Sequence, residues 1–505
     1  MNVPVLLNQQ AQSYGDKPAL IFKDEQVSFR ALRDNALKLA NVLRQAGIGK
    51  FDRVGIYLPN GPECVYSYLA CFCLGAVAVP LDYQLKSEEL ISCLTHSQAK
   101  ALIAQPKGDS DEDLKAVCAA VSSLRQVFVF GGLSLNGAKS LSAAMAAVSP
   151  EPVKTVIDEK DPALIMYTSG TTGRPKGILL NYRHLDGSPE AMRHFVDLSD
   201  RDVKLAAIPF SHIGGFIYIQ NCLVFGITLV IMDRFNPYEF LRCVERFKVT
   251  CFHIVPPMYT ALLTLKQIEK FDLSSLRWVV VFGAPSSPEI MERFHKYCPN
   301  AQLLNGWGMT ETCPPNTVTP LGSKNIASVG KPAPHCRIKI VDERGKEVPT
   351  GEIGEILISG WVVMDGYYKD PETTAAILKD GWLHTEDLGR LDADGYLYII
   401  GRKKEMIKVG GQIVFAPEVE AALYKHEQVV EAAVVGVPDK IRGEAVKAFV
   451  VLKEGASLSA EDLRYFLRER LAHFKIPQMV EIKDALPRNR AGKIDKELLK
   501  QEAFA

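Results

Sequence analysis

Short apolar segments alternate with helix-forming segments up to about residue 320, and this alternation limits the fold more than any other feature of the sequence. Residues 53–58 are typical of a strand, and a turn at Asn60 leads into a helix over residues 63–74. Gly75 ends that helix, and residues 77–79 complete a strand–helix–strand unit. Similar units recur, so the sequence predicts an α/β fold with doubly wound sheets.

Two apolar stretches reach the length of a membrane span. Residues 206–232 contain no Asp, Glu, Lys or Arg, and a run of more than about 18 such residues is the usual signal of a transmembrane helix. Pro209, Gly214 and Gly215 interrupt the run, at a cost that a lipid-facing helix does not tolerate well. Residues 64–81 divide in the same way. We therefore predict buried segments of a globular fold and no integral membrane insertion.

The charge balance and the cysteines narrow the class of protein. Fifty-nine Lys and Arg residues balance 59 Asp and Glu residues among the 505, so no net field favours nucleic acid as a partner. The 11 cysteines include no CxxC pair and no Cys/His cluster at zinc spacing, which favours free thiols in a reducing compartment. Residues 1–17 contain no signal-peptide pattern. These features predict a cytoplasmic protein that does not bind nucleic acid.

The pattern changes after about residue 320. Short strands separated by glycine-rich turns indicate a small β-rich subdomain, and they read CRIKIVD, GEILISG and YLYIIGR. From Arg402 the charge density rises, and the remaining chain offers strands and a helix. We predict a large N-terminal domain of residues 1–402, made of doubly wound sheets and the β-rich subdomain, and a small mobile α+β C-terminal domain of residues 403–505.

A loop rich in glycine and hydroxyl groups follows an apolar strand at residues 163–166. It reads YTSGTTGRPKG over residues 167–177. Glycines let backbone N–H groups face an anion, hydroxyls add donors, and Lys176 adds a compact positive charge. The loop is not a Walker A motif, because Pro175 stands where that motif needs glycine. We predict a phosphate site rather than a surface turn, with Thr168, Ser169, Gly170, Thr171, Thr172, Gly173 and Lys176 as its residues.

Six motifs in a fixed order identify the chain with a known family. After YTSGTTGRPKG come NGWGMTET, GEILISG with MDGYY, WLHTEDLG, GRKKEMIKVGG and PRNRAGK. Together they resemble the acyl-adenylate-forming family, which includes acyl-CoA synthetases, coumarate-CoA ligases, beetle luciferases and adenylation domains of peptide synthetases. The resemblance covers essentially the whole chain. It implies an AMP-forming acid–thiol ligase that uses ATP and Mg²⁺ to activate a carboxylic acid and then transfers the acyl group to coenzyme A.

The resemblance implies roles around the nucleotide. Adenylation brings a carboxylate against the α-phosphate of ATP, so the site must neutralise negative charge. Glu311 resembles the family's Mg²⁺ ligand, which suits an ion that takes one or two carboxylates plus phosphate oxygens. Thr310 resembles a phosphate contact. Asp387 resembles the acid that accepts both ribose hydroxyls, although Glu386 stands where many members have glycine, and Arg402 resembles a second ribose contact.

Residues that follow two strands resemble the walls of the nucleotide and acyl pockets. Gly283 comes after a strand at residues 278–282, and ligands of parallel sheets bind beyond the carboxyl ends of strands. The Trp307 ring is available to stack on adenine, with a core position as the equal alternative. The candidate wall residues are Gly283, Ala284, Pro285, Asn305, Gly306, Trp307, Gly308 and Met309.

The resemblance also implies two half-reactions that use different parts of the small domain. Lys493 resembles the lysine that bridges the substrate carboxylate and the α-phosphate, where a fixed charge stabilises the transition state. Lys404 occupies the hinge position, and rotation there would withdraw Lys493. Lys408, Gly410 and Gly411 would then meet the acyl-adenylate. These two glycines leave room for the pantetheine arm of coenzyme A and Lys408 adds a charge near the thiol.

The acid is the least specified part of the prediction. His212 resembles a gate residue of the acyl pocket, with a core histidine as the alternative. Gly214 and Gly215 suggest room for a long or bulky group, and Gly283 is a further candidate residue of that pocket. No Asp near His212 is placed to hold an amine, so amino acids are excluded. We rank medium- and long-chain fatty acids first and aryl acids such as benzoates or cinnamates second. Loading of a carrier protein, a non-catalytic binding role and a homodimer remain open.

Overall fold

A computed structural model of the chain describes residues 1–108, 111–131, 137–168, 176–283, 288–488 and 493–504. Several of the predicted site residues lie outside these ranges, namely Ser169, Gly170, Thr171, Thr172, Gly173, Ala284 and Pro285. The described part contains α-helices and strands in alternation. The helices are α1 Val3–Tyr14, α2 Phe29–Gln45, α3 Pro62–Leu74, α4 Ser87–Ser97, α5 Glu112–Ala120, α6 Leu141–Ala146, α7 Gly187–Phe195, α8 Ile213–Phe225, α9 Pro237–Phe247, α10 Pro256–Leu263, α11 Pro288–His295, α12 Pro371–Ile377, α13 Ala416–Tyr424, α14 Ala460–Arg468 and α15 Lys496–Phe504.

The strands group into four sheets. In chain order they are β1 Pro18–Phe22, β2 Glu25–Ser28, β3 Arg53–Tyr57, β4 Val77–Pro80, β5 Ala101–Ala104, β6 Gln126–Val129, β7 Ala138–Ser140, β8 Pro162–Thr168, β9 Lys176–Asn181, β10 Val203–Ala206, β11 Thr228–Ile231, β12 Cys251–Ile254, β13 Trp278–Val281, β14 Gln302–Trp307, β15 Thr317–Val318, β16 Lys331–Pro332, β17 Cys336–Val341, β18 Gly354–Gly360, β19 Gly366–Tyr367, β20 Leu378–Lys379, β21 Trp382–Leu391, β22 Leu397–Arg402, β23 Met406–Val409, β24 Gln412–Phe415, β25 Val429–Asp439, β26 Gly443–Leu452 and β27 Met479–Ile482.

Two sheets with parallel central strands form the large domain. One runs in the order β19-β9-β8-β4-β3-β5-β6-β7, and the other in the order β16-β15-β14-β13-β12-β10-β11-β1-β2. Their central strands are parallel because the chain returns through a helix between most of them. This order brings the carboxyl ends of β12, β13 and β14 side by side, which positions the site described below.

The two charge-free stretches fold as the sequence predicts. Gly75 follows α3 and Gly226 follows α8, both in the left-handed conformation with φ of 66° and 67°, and each leads into a buried strand. Glycine adopts this conformation without the steric cost that other residues meet. The two helices pack together: the Tyr68 and Phe216 rings lie 5.1 Å apart, and the Tyr68 hydroxyl donates to the Phe210 carbonyl at 2.6 Å.

No helix in the part of the chain that the structure describes is long and apolar enough to cross a membrane. The two apolar stretches are too short as helices because Gly75 and Gly226 each end a helix of 13 residues, which is followed by a short strand. All 11 cysteines are free thiols, and most are buried.

Two further sheets complete the chain. The β-rich subdomain contains a sheet of β17, β18, β21, β20 and β22. The smaller C-terminal domain contains a sheet of β24, β23, β26, β25 and β27. The predicted fold class is therefore confirmed. Arg293 of α11 joins the two domains by donating to the carbonyls of Tyr424 and His426 at 3.1 and 3.4 Å, at the carboxyl end of α13, where a cation is favoured.

Two adjacent glycines at the start of α8 have different environments. A β-carbon on Gly215 would lie 2.0 Å from the Pro209 carbonyl oxygen, whereas one on Gly214 would meet nothing closer than Ile208 at 3.8 Å. Gly215 therefore allows a close backbone approach and provides no open space. This corrects the expectation that both glycines widen a pocket.

We expect Gly215→Ala to destabilise the protein by about 1–3 kcal/mol, because backbone atoms cannot yield to the added methyl group. Gly214→Ala is the matched control, and the ordinary contact distance of 3.8 Å to Ile208 there predicts no loss of stability. Thermal unfolding of both variants measures the difference. Equal melting temperatures for the two variants would contradict this account of Gly215.

Candidate active site

The carboxylate of Asp387 is held from two sides where β14 and β21 meet. The Trp307 indole N–H donates to one Asp387 oxygen at 2.9 Å, and Nε of Arg402 donates to the other at 3.1 Å. Arg402 can do this because β21 and β22 pair antiparallel, with Asp387 opposite Arg402. The two donors fix the orientation of the carboxylate, and its remaining lone pairs can still accept hydroxyl groups.

Burial sets the electrostatics of this carboxylate. Asp387 is 7% exposed, and this burial raises its pKa, while Arg402 and the Trp307 hydrogen bond oppose the rise. Both partners therefore favour the charged form that a ribose-binding acid requires. The sequence predicts Asp387 and Arg402 as site residues, but it does not indicate that Trp307 orients the Asp387 carboxylate.

Trp307 itself is buried, with 8% of its surface exposed. Its indole contact with Asp387 is a role that the sequence analysis missed, because the two residues are 80 positions apart. The one sequence signal for this position is that Trp307 is the aromatic residue of the NGWGMTET motif. Stacking on adenine stays a prediction.

Glu311 lies in a short 3₁₀ helix, Thr310–Thr312, just after β14. The Tyr367 hydroxyl donates to its carboxylate at 3.0 Å, and Nζ of Lys176 lies 5.4 Å from the centre of the Tyr367 ring. Tyr367 reaches this place because β19 pairs with β9, which puts Tyr367 opposite Ile178. Tyr367 belongs to the quoted MDGYY segment, but the sequence analysis gave it no role.

The surroundings of Glu311 suit a Mg²⁺ ion shared with a nucleotide. Burial raises the pKa of this carboxylate, and Tyr367, Arg402 and Lys176 lower it. A bound divalent cation would favour the charged form further. The described residues contain no group of three or more His, Cys, Asp or Glu side chains that could hold a metal by themselves. Glu311 would therefore supply one ligand and the phosphates of ATP the others.

Lys493 of the small domain reaches into the large domain. Its Nζ lies 3.7 Å from the position that a β-carbon would occupy on Gly283, and its Cε lies 3.4 Å from it. Burial and Arg402 lower the Lys493 pKa, and Asp387 raises it. The structure thus brings together Lys493, Asp387 and Arg402, which lie on separate motifs of the sequence.

The residues predicted to meet coenzyme A lie elsewhere on the small domain. Lys408 is exposed on β23, and Gly410 and Gly411 form the exposed two-residue turn between β23 and β24. Their φ angles of 58° and 83° are those of a tight hairpin turn that favours glycine. Lys404 lies in the short 3₁₀ helix Lys403–Glu405, between β22 and β23. In this orientation Lys493, and not the glycine turn, faces Gly283.

Some of the remaining candidate residues hold the backbone around the site in place, and others lie next to the residues described above. The Asn305 side chain donates to the Ile326 carbonyl at 2.6 Å and is buried, so it fixes the strand. Gly308 has no room for a side chain, because a β-carbon there would lie 2.5 Å from Cβ of Pro314. Met309 precedes the 3₁₀ helix, and Thr168 lies opposite Lys176 in the β8–β9 pair.

His212 lies at the N-terminus of α8 next to Gly214. Its Nε2 is 3.3 Å from a carboxylate oxygen of Asp82, so the ring has a polar neighbour. Gly214 has no side chain, and its backbone carbonyl accepts a hydrogen bond from the His253 ring at 2.6 Å.

Comparison with protein families agrees with this arrangement. Residues 7–368 match the model of the AMP-binding enzyme family, and residues 418–493 match the model of the AMP-binding enzyme C-terminal domain. The chain belongs to the AMP-binding enzyme family. The resemblance to acyl-adenylate-forming enzymes is thereby confirmed.

Its relatives act on different acids. The chain is 33% identical to a long-chain-fatty-acid–CoA ligase of Bacillus subtilis, over 98% of this chain and 94% of the relative. It is 36% identical to a feruloyl-CoA synthase of an Amycolatopsis species, over 93% and 92%. The structure of the anthranilate CoA ligase AuaEII in complex with anthranoyl-AMP superimposes with a TM-score of 0.95 at 28% identity, over 100% of this chain and 97% of that one.

We expect Trp307→Phe to raise the KM for ATP about tenfold, the scale of a lost hydrogen bond to a charged group. The indole N–H lowers the Asp387 pKa, so its loss raises that pKa and protonation of the carboxylate begins at a higher pH. The acid limb of kcat/KM for ATP should therefore move to higher pH. Trp361→Phe is the control, since Trp361 contacts His335 and Arg183 instead. An unshifted acid limb in Trp307→Phe would rule out the orienting role.

Proposed function

We propose that this member of the AMP-binding enzyme family is an AMP-forming acid–thiol ligase. It joins a carboxylic acid to AMP with release of pyrophosphate, and then transfers the acyl group to the thiol of coenzyme A. The observation that carries the proposal is the convergence of Lys493, Asp387 and Arg402 beside Gly283. A fixed cation and a ribose-binding carboxylate are what adenylation of an acid requires.

Each group has a distinct task in the first half-reaction. Asp387 and Arg402 hold the ribose, and Glu311 would supply a ligand to Mg²⁺ bound with ATP. Lys493 places its ammonium group between the incoming carboxylate and the α-phosphate, where negative charge accumulates. The carboxylate oxygen forms the new bond to phosphorus, and pyrophosphate leaves with the electrons of the broken bond. Bound Mg²⁺ supplies charge neutralisation for that leaving group.

The second half-reaction needs a different face of the small domain. We propose residues 1–402 and 403–505 as the two units and Lys404 as the hinge between them. The exposed Lys408 and the turn of Gly410 and Gly411 would then replace Lys493 at the acyl-adenylate. The open space around both glycines, with nothing within 4 Å of a β-carbon at either position, supports a close approach of a pantetheine arm.

The acid belongs to one of two classes. A fatty acid of medium or long chain is the first candidate from the sequence, and an aryl acid is the second. Names of relatives include both, since one is a long-chain-fatty-acid–CoA ligase and another a feruloyl-CoA synthase. Gly215 does not support a long acyl pocket, because the Pro209 backbone occupies the space where a side chain at Gly215 would lie.

The cellular compartment, the acyl acceptor and the oligomeric state belong to the same proposal. The free thiols support a reducing compartment such as the cytoplasm. A carrier-protein thiol is the alternative acyl acceptor to coenzyme A. The homodimer stays a prediction, which light scattering of the purified protein tests.

We expect carboxylate-dependent formation of AMP and pyrophosphate that requires Mg²⁺. Glu311→Gln should raise the Mg²⁺ concentration for half-maximal rate at least about tenfold, because the amide loses the charge that attracts the ion. A panel of carboxylic acids, assayed for pyrophosphate with and without coenzyme A, provides the measurement. ADP as the nucleotide product would exclude the proposed reaction.

We expect the two half-reactions to separate genetically. Lys493→Ala should slow adenylation at least about a hundredfold, since a fixed charge leaves the transition state, and nearly spare thioester formation from supplied acyl-AMP. Lys404→Pro should show the opposite pattern, because proline fixes φ and removes an N–H at the hinge. Single-turnover kinetics of both steps measure this. If Lys493→Ala slows both steps equally, the two faces do not alternate.

A further inference from the structure

The substrate carboxylate has a defined place, provided that the proposed function holds. Lys493 must touch it, and Nζ of Lys493 lies 3.7 Å from the β-carbon position of Gly283. Val255 closes one side of this point, with Cγ1 3.3 Å from the same position. The acyl group must therefore leave Gly283 toward the α8 side of the sheet, where a β-carbon on Gly214 would meet Ile208 only at an ordinary van der Waals distance of 3.8 Å.

The Phe282 ring occupies that side of the sheet. A β-carbon on Gly306 would lie 2.0 Å from Cε1 of Phe282 and 2.7 Å from Cδ1, so the ring fills the space that a side chain at Gly306 would take. The same ring meets His253 edge to face, with centres 5.7 Å apart at an angle of 65°. Phe282 remains half-buried, so its neighbours do not enclose the residue completely.

The floor beside Phe282 is rigid. His253 stacks on Tyr218 with ring centres 3.7 Å apart and planes within 12°. The Tyr218 hydroxyl donates to the His253 carbonyl at 2.5 Å, and the His253 ring bonds to the Gly214 carbonyl at 2.6 Å. Burial holds the pKa of His253 well below its usual value, so the ring is neutral. These bonds prevent His253 from moving aside for a long chain.

A buried cation lies deeper along the same sheet. Lys204 is fully buried, and β10 pairs with β12 so that Lys204 is opposite Cys251, two residues before His253. Its Nζ lies 5.5 Å from the centre of the Tyr218 ring and 5.3 Å from that of Trp278. An alkyl chain that passed His253 would approach this ammonium group, and such a contact is unfavourable.

We propose that Phe282 ends the acyl pocket and restricts this enzyme to compact acids, with planar aromatic carboxylic acids of benzoate size as the preferred class. An aromatic acid can contact the Phe282 ring edge to face or offset-stacked, which is the favoured geometry for such pairs. A long alkyl chain has to displace the ring. Phe282 is thus a specificity-determining residue, and aryl acids then rank above the fatty acids that the sequence placed first.

The test is the substrate ranking of the full-length wild type and of Phe282→Ala. Pyrophosphate release is measured with benzoate, cinnamate and straight-chain acids from acetate to palmitate. We expect the wild type to prefer benzoate over dodecanoate. Phe282→Ala should raise kcat/KM for dodecanoate at least about tenfold and lower it for benzoate, because the pocket gains length and loses its aromatic contact. Phe282→Leu should give an intermediate shift.

Phe271→Ala is the matched control, since Phe271 is also half-buried and makes an edge contact with Tyr238, at 5.3 Å. It should leave the ranking of acids unchanged. Binding of benzoyl and dodecanoyl sulfamate analogues of the acyl-adenylate, measured by calorimetry, gives a second readout that does not depend on turnover. The two affinities should change in opposite directions in Phe282→Ala.

Three outcomes have separate meanings. Opposite changes for long and aromatic acids support the proposal. A wild type that prefers dodecanoate, or a Phe282→Ala variant with normal pyrophosphate release and the wild-type ranking, overturns the role of Phe282 and leaves the proposed function intact. Absence of acid-dependent pyrophosphate release with every acid overturns the proposed function itself.

Discussion

The buried carboxylate of Asp387 is the interaction on which the site depends. A buried charge is costly unless donors compensate it, and here the donors come from β14 through Trp307 and from β22 through Arg402. These contacts tie the β-rich subdomain to the second parallel sheet. They also place Asp387 near Lys493, which contributes an opposite charge from the small domain.

The position of the small domain follows from contacts at its border. Arg293 of the large domain donates to the carbonyl groups that end α13. With the domain held there, Lys493 faces Gly283, and the turn of Gly410 and Gly411 faces outward. The hydrogen bonds of Arg293 are polar, so they can be exchanged for others at modest cost, which an alternation of faces requires.

The acyl side of the site is shaped by packing rather than by charge. Phe282, His253 and Tyr218 form a continuous aromatic wall, and hydrogen bonds to Gly214 and within the wall hold it in place. Close-packed interiors do not yield easily to an added group. Our proposal for the selectivity among acids rests on the packing of the Phe282 ring over Gly306.

The sequence by itself determined the fold class, the glycine turns after α3 and α8, and the family, because each rests on local pattern or on ordered motifs. It also selected Asp387, Arg402 and Lys493. The tertiary structure alone decided that Trp307 orients Asp387, that Gly215 serves backbone packing and that Phe282 covers Gly306. Such contacts join residues distant in sequence or depend on the direction of a side chain, and neither is encoded in spacing along the chain.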